Sequence, residues 1–342
     1  MRSPRCIKLK VLIVLIAVST LSVAVRYASA ANGHDVQRLK SSPELPSTHF
    51  SPSNARTQDG NPIPSAQFFS AVRCASCHKE IHEDWSESLH RNSVREPFYK
   101  ESVDILERQR GIEFTRHCES CHAPISLASG ALTTGSKESR TMDDEGVTCT
   151  VCHSITEARL DGTGSYTIRR PALIENSDGT PVYSDVSDDE ILKDVAGHKR
   201  AMMRPLLKQP EFCAACHKSS VPPSLNNYKF QRGFNAYDEW QMSGASTETI
   251  TPYYRRDKRA DCATCHIPMT EATKDMAATN GYVASHRFLS ANTTTPLFYG
   301  QHKQVEKTKE FLKSGVITAD IFAIRNEATG KAFVSLNSTL SD

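Results

Sequence analysis

The sequence predicts a mainly α fold with many loops and a short β-hairpin near the C-terminus. Three observations lead there. One five-residue pattern recurs five times at a spacing that closes a helical turn, the longer periodic segments have the helical period, and apolar side chains are too few to fill an ordinary core. Of 342 residues, 38% are hydrophobic. Nineteen of the apolar ones sit in the first thirty residues, which leaves about 36% elsewhere, below the range usual for globular domains. Something besides side chains must fill the interior. The same composition excludes a polytopic membrane protein, a collagen-like fibre and a wholly disordered chain.

Residues 1–30 read as a secretory signal. They carry five basic residues (Arg2, Arg5, Lys8, Lys10, Arg26) and no acid, an apolar run from Val11 to Val25, and a small-x-small site at Ala28-Ser29-Ala30. An uncleaved membrane anchor is the rival reading. Fifteen residues of helix rise only about 22 Å, short of the roughly 30 Å hydrocarbon core. Cys6 precedes the apolar run and so is poorly placed for a lipid anchor. Without this segment the formal charge changes from +2 to −3, and the compositional case for nucleic-acid binding goes with it. The chain is therefore expected to be exported, to the periplasm or the cell surface.

Residues 31–67 are rich in Ser, Pro and Asn and form an extended arm or linker, free to wrap the domain that follows. The folded region runs from 68 to 300. Ile81, Trp85 and Leu89 share one helix face, and this helix is expected to carry both His82 and His90. Phe98 to Arg110 forms a second helix, ended by Gly111. Asp188 to Lys208 forms a third, with an acidic first turn and a kink or stop at Pro205. Asn235 to Met242 forms another, and Asp161–Gly164 and Asn176–Gly179 are turns. The segment 301–342 holds a helix over Gln304–Ser314, then β-prone runs Val316–Ile324 and Lys331–Leu336 around a Glu327-Ala-Thr-Gly330 turn.

Ten of the eleven cysteines lie in the recurring pattern: Cys74-Ala-Ser-Cys77-His78, Cys118-Glu-Ser-Cys121-His122, Cys149-Thr-Val-Cys152-His153, Cys213-Ala-Ala-Cys216-His217 and Cys262-Ala-Thr-Cys265-His266. Five histidines following five such pairs by chance has a probability on the order of one in ten million, and the pattern is that of covalent haem attachment. On one turn of helix, i, i+3 and i+4 share a face, so both sulfurs can bond a porphyrin edge while the histidine reaches the iron. A disulfide scaffold leaves the fixed histidine unexplained, zinc knuckles need complementary pairs, and a thioredoxin-like site needs one motif in a βαβ unit. The motifs thus predict five covalently attached haem c groups, with His78, His122, His153, His217 and His266 as proximal ligands. They fall within Cys74–His266, about 39 residues per motif, so the haems supply the missing core.

Each iron has a second axial position. Eight further histidines are available: His34, His49, His82, His90, His117, His198, His286 and His302. Met202, Met203, Met242 and Met269 are alternatives that would raise the potential, whereas histidine keeps it low. Trp85-Ser-Glu-Ser-Leu-His90, Gly146-Val-Thr-Cys149, Phe212-Cys213-Ala-Ala-Cys216-His217, Tyr237-Asp-Glu-Trp240 and Ser285-His286-Arg287-Phe288 together resemble the multihaem cytochromes grouped with cytochrome c-554, over residues 70–300. The resemblance implies a helical, haem-dense fold shared in part with hydroxylamine oxidoreductase and the pentahaem nitrite reductases. It also points to His90, His198 and His286 as distal ligands. His82 and His117 come next, with His302, His49 and His34 behind them.

The resulting expectation is electron transfer through closely packed bis-histidine haems, between redox donor and acceptor proteins such as quinol-oxidising membrane proteins or other multihaem cytochromes. The rival is a redox enzyme acting on a small nitrogen or sulfur species at a haem with an open axial site. Every motif ends in His, whereas the nitrite reductases it resembles carry a lysine-ended motif at the active haem, which weighs against the rival. Candidate groups for such chemistry are Tyr228, Tyr237, Asp238, Tyr253, Tyr254, Arg255 and Arg256. A third expectation, a haem-bearing subunit of a larger assembly, rests on the hairpin-like end of the chain.

Overall fold

Among the described residues the α-helices run from four to fourteen residues. In the computed structural model, which describes residues 49–221, 225, 230–248, 257–315, 323–324 and 334–335, the fold is mainly helical. Helix α1 (Ala71–Ala75) is capped by Ser70, whose hydroxyl accepts from the Val72 amide, and α2 (Lys79–Ser86) begins directly after the first motif. Trp85 is buried on α2, but the helix ends before His90, which therefore stands in the following turn and not on the helix of His82. Helix α3 (Pro97–Arg110) opens with proline at its first turn and a Glu96 cap, and stops at Gly111. Gly111 adopts φ +93°, a conformation glycine tolerates best, and the chain re-enters a helix at once as α4 (Ile112–His122). Helix α5 (Pro124–Ala128) is buried throughout, and α6 (Cys149–Cys152) is a single turn.

The long helix expected over 188–208 is broken twice. Ser187 and Glu190 form a reciprocal cap that starts α7 (Asp188–Lys193). Asp194 leaves the helical conformation and its carboxylate accepts from the Gly197 amide, which starts α8 (Val195–Met202). A three-residue-per-turn segment, Pro205–Lys208, follows. A mid-segment aspartate thus acted as a new N-cap, a competition that periodicity does not register. Helices α9 (Pro210–His217), α10 (Ala236–Met242), α11 (Cys262–His266), α12 (Thr294–Phe298) and α13 (His302–Lys313) complete the series.

The sheets are small. Arg56–Thr57 pairs in parallel with Tyr166–Ile168, which pairs antiparallel with Ile155–Ala158. Two-stranded ribbons join Ile174–Glu175 to Pro181–Val182, Lys218–Val221 to Gln231–Asn235, and Met269–Glu271 to Tyr282–Ala284. The C-terminal hairpin is present as Ala323–Ile324 against Ser335 and Val334. Its expected turn at 327–330 lies outside the described residues, as do the signal segment 1–30 and the first part of the arm.

The remainder of the arm differs from a free linker. Phe50, Ala55 and Ile63 are buried in the main side-chain cluster with Phe68, Leu127, Val151, Tyr166 and Ala215. A stretch without periodicity can still supply single apolar anchors, so packing begins well before residue 68. A second cluster gathers Leu173, Ile174 and Val186. Both clusters draw on residues up to about 215, while Phe230, Phe234, Met269, Met276 and Phe298 beyond them stay largely exposed. Among the described residues no helix is long and apolar enough to cross a membrane.

Candidate haem site

The motif histidines end turns closed by backbone bonds: the His78 amide donates to the Cys74 carbonyl at 2.9 Å, and the His153 amide to the Cys149 carbonyl at 3.0 Å. Asp261 and Thr264 cap the fifth motif reciprocally. All ten motif cysteines are free and partly exposed, and among the described residues no three His, Cys, Asp or Glu side chains converge on a metal point. Neither a disulfide scaffold nor a zinc knuckle is formed there. Desolvation lifts the Cys118 thiol to about 11 and Cys152 to about 12.

Different motifs adjoin one another. The helix of the first motif packs on that of the third, and the helix of the fourth on that of the fifth, while the Cys121 thiol lies 3.9 Å from the Cys216 carbonyl. Motif one therefore adjoins motif three, motif two adjoins motif four, and motif four also adjoins motif five.

The histidines fit a metal-bearing group in three respects. First, Nδ1–H is spoken for in six of them, which leaves Nε2 as the free lone pair. His122 donates to the Ser93 carbonyl (2.9 Å), His153 to Met202 (2.6 Å), His266 to Leu289 (2.5 Å), His198 to Leu173 (2.7 Å) and His286 to Ala284 (2.9 Å). His78 donates instead to the Asp275 carboxylate (3.1 Å). Second, desolvation, reinforced by neighbouring histidines, lowers His90 to about 3 and His153 to about 4, and it also lowers His122, His217 and His286. Neutral rings keep the lone pair a metal needs. Third, the buried Nδ1 of His90 has no hydrogen-bond partner.

Three motif histidines face a second histidine across a gap. Ring centres are 6.2 Å apart for His78 and His198, 6.5 Å for His153 and His286, and 6.1 Å for His217 and His90. Two metal–nitrogen bonds of about 2 Å, plus the distance from each nitrogen to its ring centre, require roughly 6 Å. The first two pairs are nearly parallel, at 11° and 20°, and the third is nearly perpendicular, at 83°.

Each partner histidine is held by its own local device. For His90, the Trp85 indole donates to the Val147 carbonyl and the Val147 amide donates to the His90 carbonyl, both at 2.9 Å. Gly146, at φ +58°, lets these backbones approach, since a Cβ there would lie 2.5 Å from the His90 oxygen. For His286, the neighbouring Arg287 is buried and bridges Asp84 (2.8 Å), Glu87 (2.7 Å) and Gln304 (3.0 Å). Phe288 packs edge-on against both His90 and His286. His198 rides on α8.

His122 and His266 have no such partner among the described residues. Tyr99 stacks flat on the His122 ring at 3.8 Å, and its hydroxyl donates to the buried Glu119, which Arg140 also holds at 3.0 Å. Sequence reasoning missed Tyr99, Glu119 and Asp275, since isolated polar residues carry no spacing signal. A cavity of about 550 Å³ opens beside Tyr99 and Glu119, lined also by Val103, Arg140, Asp143 and Tyr299. His266 has Phe311 at 5.9 Å.

Of the secondary candidates, His82 packs near Trp85, and His117 has a buried Nδ1 without a partner. Neither is brought to a motif histidine. Met203, Met242 and Met269 are exposed. Tyr237 donates to Glu211, and Asp238 pairs with Lys218 and Arg232. Tyr228 and residues 253–256 lie outside the described residues.

Residues 73–154 and 212–286 match the family described as cytochrome c554 and c-prime, and these stretches contain all five motifs along with His90 and His286. Over these stretches the chain resembles the multihaem c-type cytochromes of the c554 family, and this resemblance, with the five motifs it contains, supports haem c as the bound group. A search of curated proteins finds no similar sequence. Among solved structures, a penta-heme cytochrome c552 from Thermochromatium tepidum is similar at 18% identity and a TM-score of 0.38, over 68% of this chain. The chain spans 60% of that structure's length.

Proposed function

We propose that this chain is a c554-family cytochrome and an exported electron carrier with five covalently attached haem c groups, at least three of them bis-histidine. The observation that carries the reading is the set of three histidine pairs at 6.1 to 6.5 Å. When bound, the haem supplies a one-electron couple, and the chain's task is to fix each imidazole and hold successive porphyrins close. The motif contacts support an order that departs from sequence: motif one passes to three, and four is a junction joining two and five. Redox proteins at the periplasmic or cell-surface face serve as donor and acceptor.

Electron paramagnetic resonance of the oxidised, matured protein tests this. Near-parallel axial rings give rhombic low-spin signals and perpendicular rings give a large-g signal, so two of the first kind and one of the second are expected. Mass spectrometry should retain five haems. Absence of all three low-spin signals would overturn the ligation. A second reading, small-ligand chemistry at the His122 or His266 iron, is favoured because no histidine among the described residues faces either. Cyanide binding to these irons, with turnover of nitrite, hydroxylamine or sulfite, would support it.

A further inference from the structure

Six ring histidines donate Nδ1–H, and five of their acceptors are neutral backbone carbonyls. The sixth, for His78, is the Asp275 carboxylate at 3.1 Å. The Asp275 side chain is fully shielded from solvent, while the His78 ring is about a quarter exposed. The carboxylate also accepts from the Ile81 amide at 3.3 Å and the Ala277 amide at 2.9 Å, so it is fixed at the start of α2. Among the described residues no lysine or arginine pairs with it. Its charge is therefore directed chiefly at one imidazole.

We propose that Asp275 is a positioning and tuning residue that makes the His78/His198 centre the lowest in potential of the three histidine-paired centres. A carboxylate drawing on Nδ1–H gives the imidazole partial imidazolate character and makes Nε2 a stronger donor, which a carbonyl does less well. A stronger donor stabilises ferric over ferrous iron. Reduction adds one electron to Fe(III). The Nδ1 proton stays on His78 and no bond is broken. The low-potential end of the conductor would then lie at the first motif, and electrons would run from it through motif three. The inference rests on His78 and His198 being an axial pair.

The test uses the full matured protein and potentials followed through the low-spin signals. His198→Ala identifies the rhombic signal belonging to this centre, because that signal should vanish. If no signal changes, the axial reading itself fails. Asp275→Asn keeps the acceptor oxygen and the amide contacts but removes the charge. It should favour reduction of the identified centre about tenfold, about 59 mV for a one-electron couple, while Asp275→Glu stays near the unaltered value. A smaller shift is expected at His153/His286, since the carboxylate also acts on His286. If His198→Ala abolishes the signal but Asp275→Asn changes the equilibrium less than twofold, the tuning role is overturned while the axial pair stands. Should the asparagine variant fail to mature, the ranking in the unaltered protein decides. The signal lost in His198→Ala must be the last of the three to be reduced, and any other order refutes the proposal.

Discussion

The three paired centres and the two unpaired ones are built from the same five-residue motif, yet their surroundings differ in kind. His78, His153 and His217 each face a histidine more than a hundred residues away in the chain. His122 and His266 face aromatic neighbours instead, Tyr99 flat against one and Phe311 tilted toward the other. The motif is therefore a local property of sequence, whereas the pairing of histidines is a property of the packed chain. His90 and His286 lie where Trp85, Gly146, Arg287 and Phe288 lock loops together. The His122 centre lies beside a cavity and a buried Tyr99–Glu119–Arg140 chain.

The largest disruption should come from replacing Cys149 and Cys152 together with alanine. Their turn contributes the buried Thr150 and Val151 and packs against the helix of the first motif. Loss of this haem should remove the His153/His286 centre and collapse the fold around it. Mass spectrometry and circular dichroism would report both. A helical, cooperatively unfolding variant would show that haem contributes little to the core.

Acid should weaken the His217/His90 and His153/His286 centres. His90 and His153 titrate far below 6.5 when folded, so between there and about pH 4 the unfolded chain binds more protons than the native one. Stability is therefore present above 6.5 and falls as pH drops. Low-spin signal amplitude should decline through this window, and amplitude unchanged down to pH 4 would contradict it.

A narrower break is Gly146→Val. The added carbon would press on the His90 carbonyl, at a cost on the order of 3 kcal/mol in crowding and backbone strain. The expected outcome is selective loss of the large-g signal with both rhombic signals kept. Loss of all three signals would mean that Gly146 serves the whole fold. Single changes His90→Ala, His198→Ala and His286→Ala should each convert one iron to high spin and add one cyanide-binding site, with the haem still covalently attached. A variant that changes neither spin state nor ligand binding removes that histidine from the ligand set. The smallest effect belongs to the unpaired side: Tyr99→Phe keeps the stack on His122 but leaves Glu119 with one donor fewer, costing about 1.5 kcal/mol in denaturant unfolding. The paired signals should not move.

The five attachment motifs and several helix ends are legible in the amino-acid sequence alone. Cys-x-x-Cys-His fixes attachment because both sulfurs and the imidazole must lie on one helical turn, and helix ends at Gly111 and Gly315 follow from glycine's backbone freedom. Trp85-to-His90, Gly146-Val147 and Ser285-to-Phe288 stand out in the sequence as segments. Only the fold shows that the first two interlock through Val147, or that Arg287 ties the third to Asp84 and Glu87. The break at Asp194 is invisible to periodicity because capping is decided by one side chain. Which histidine faces which, and which of them leans on a carboxylate, is settled by tertiary packing. Those contacts span more than a hundred residues, and no local spacing encodes them.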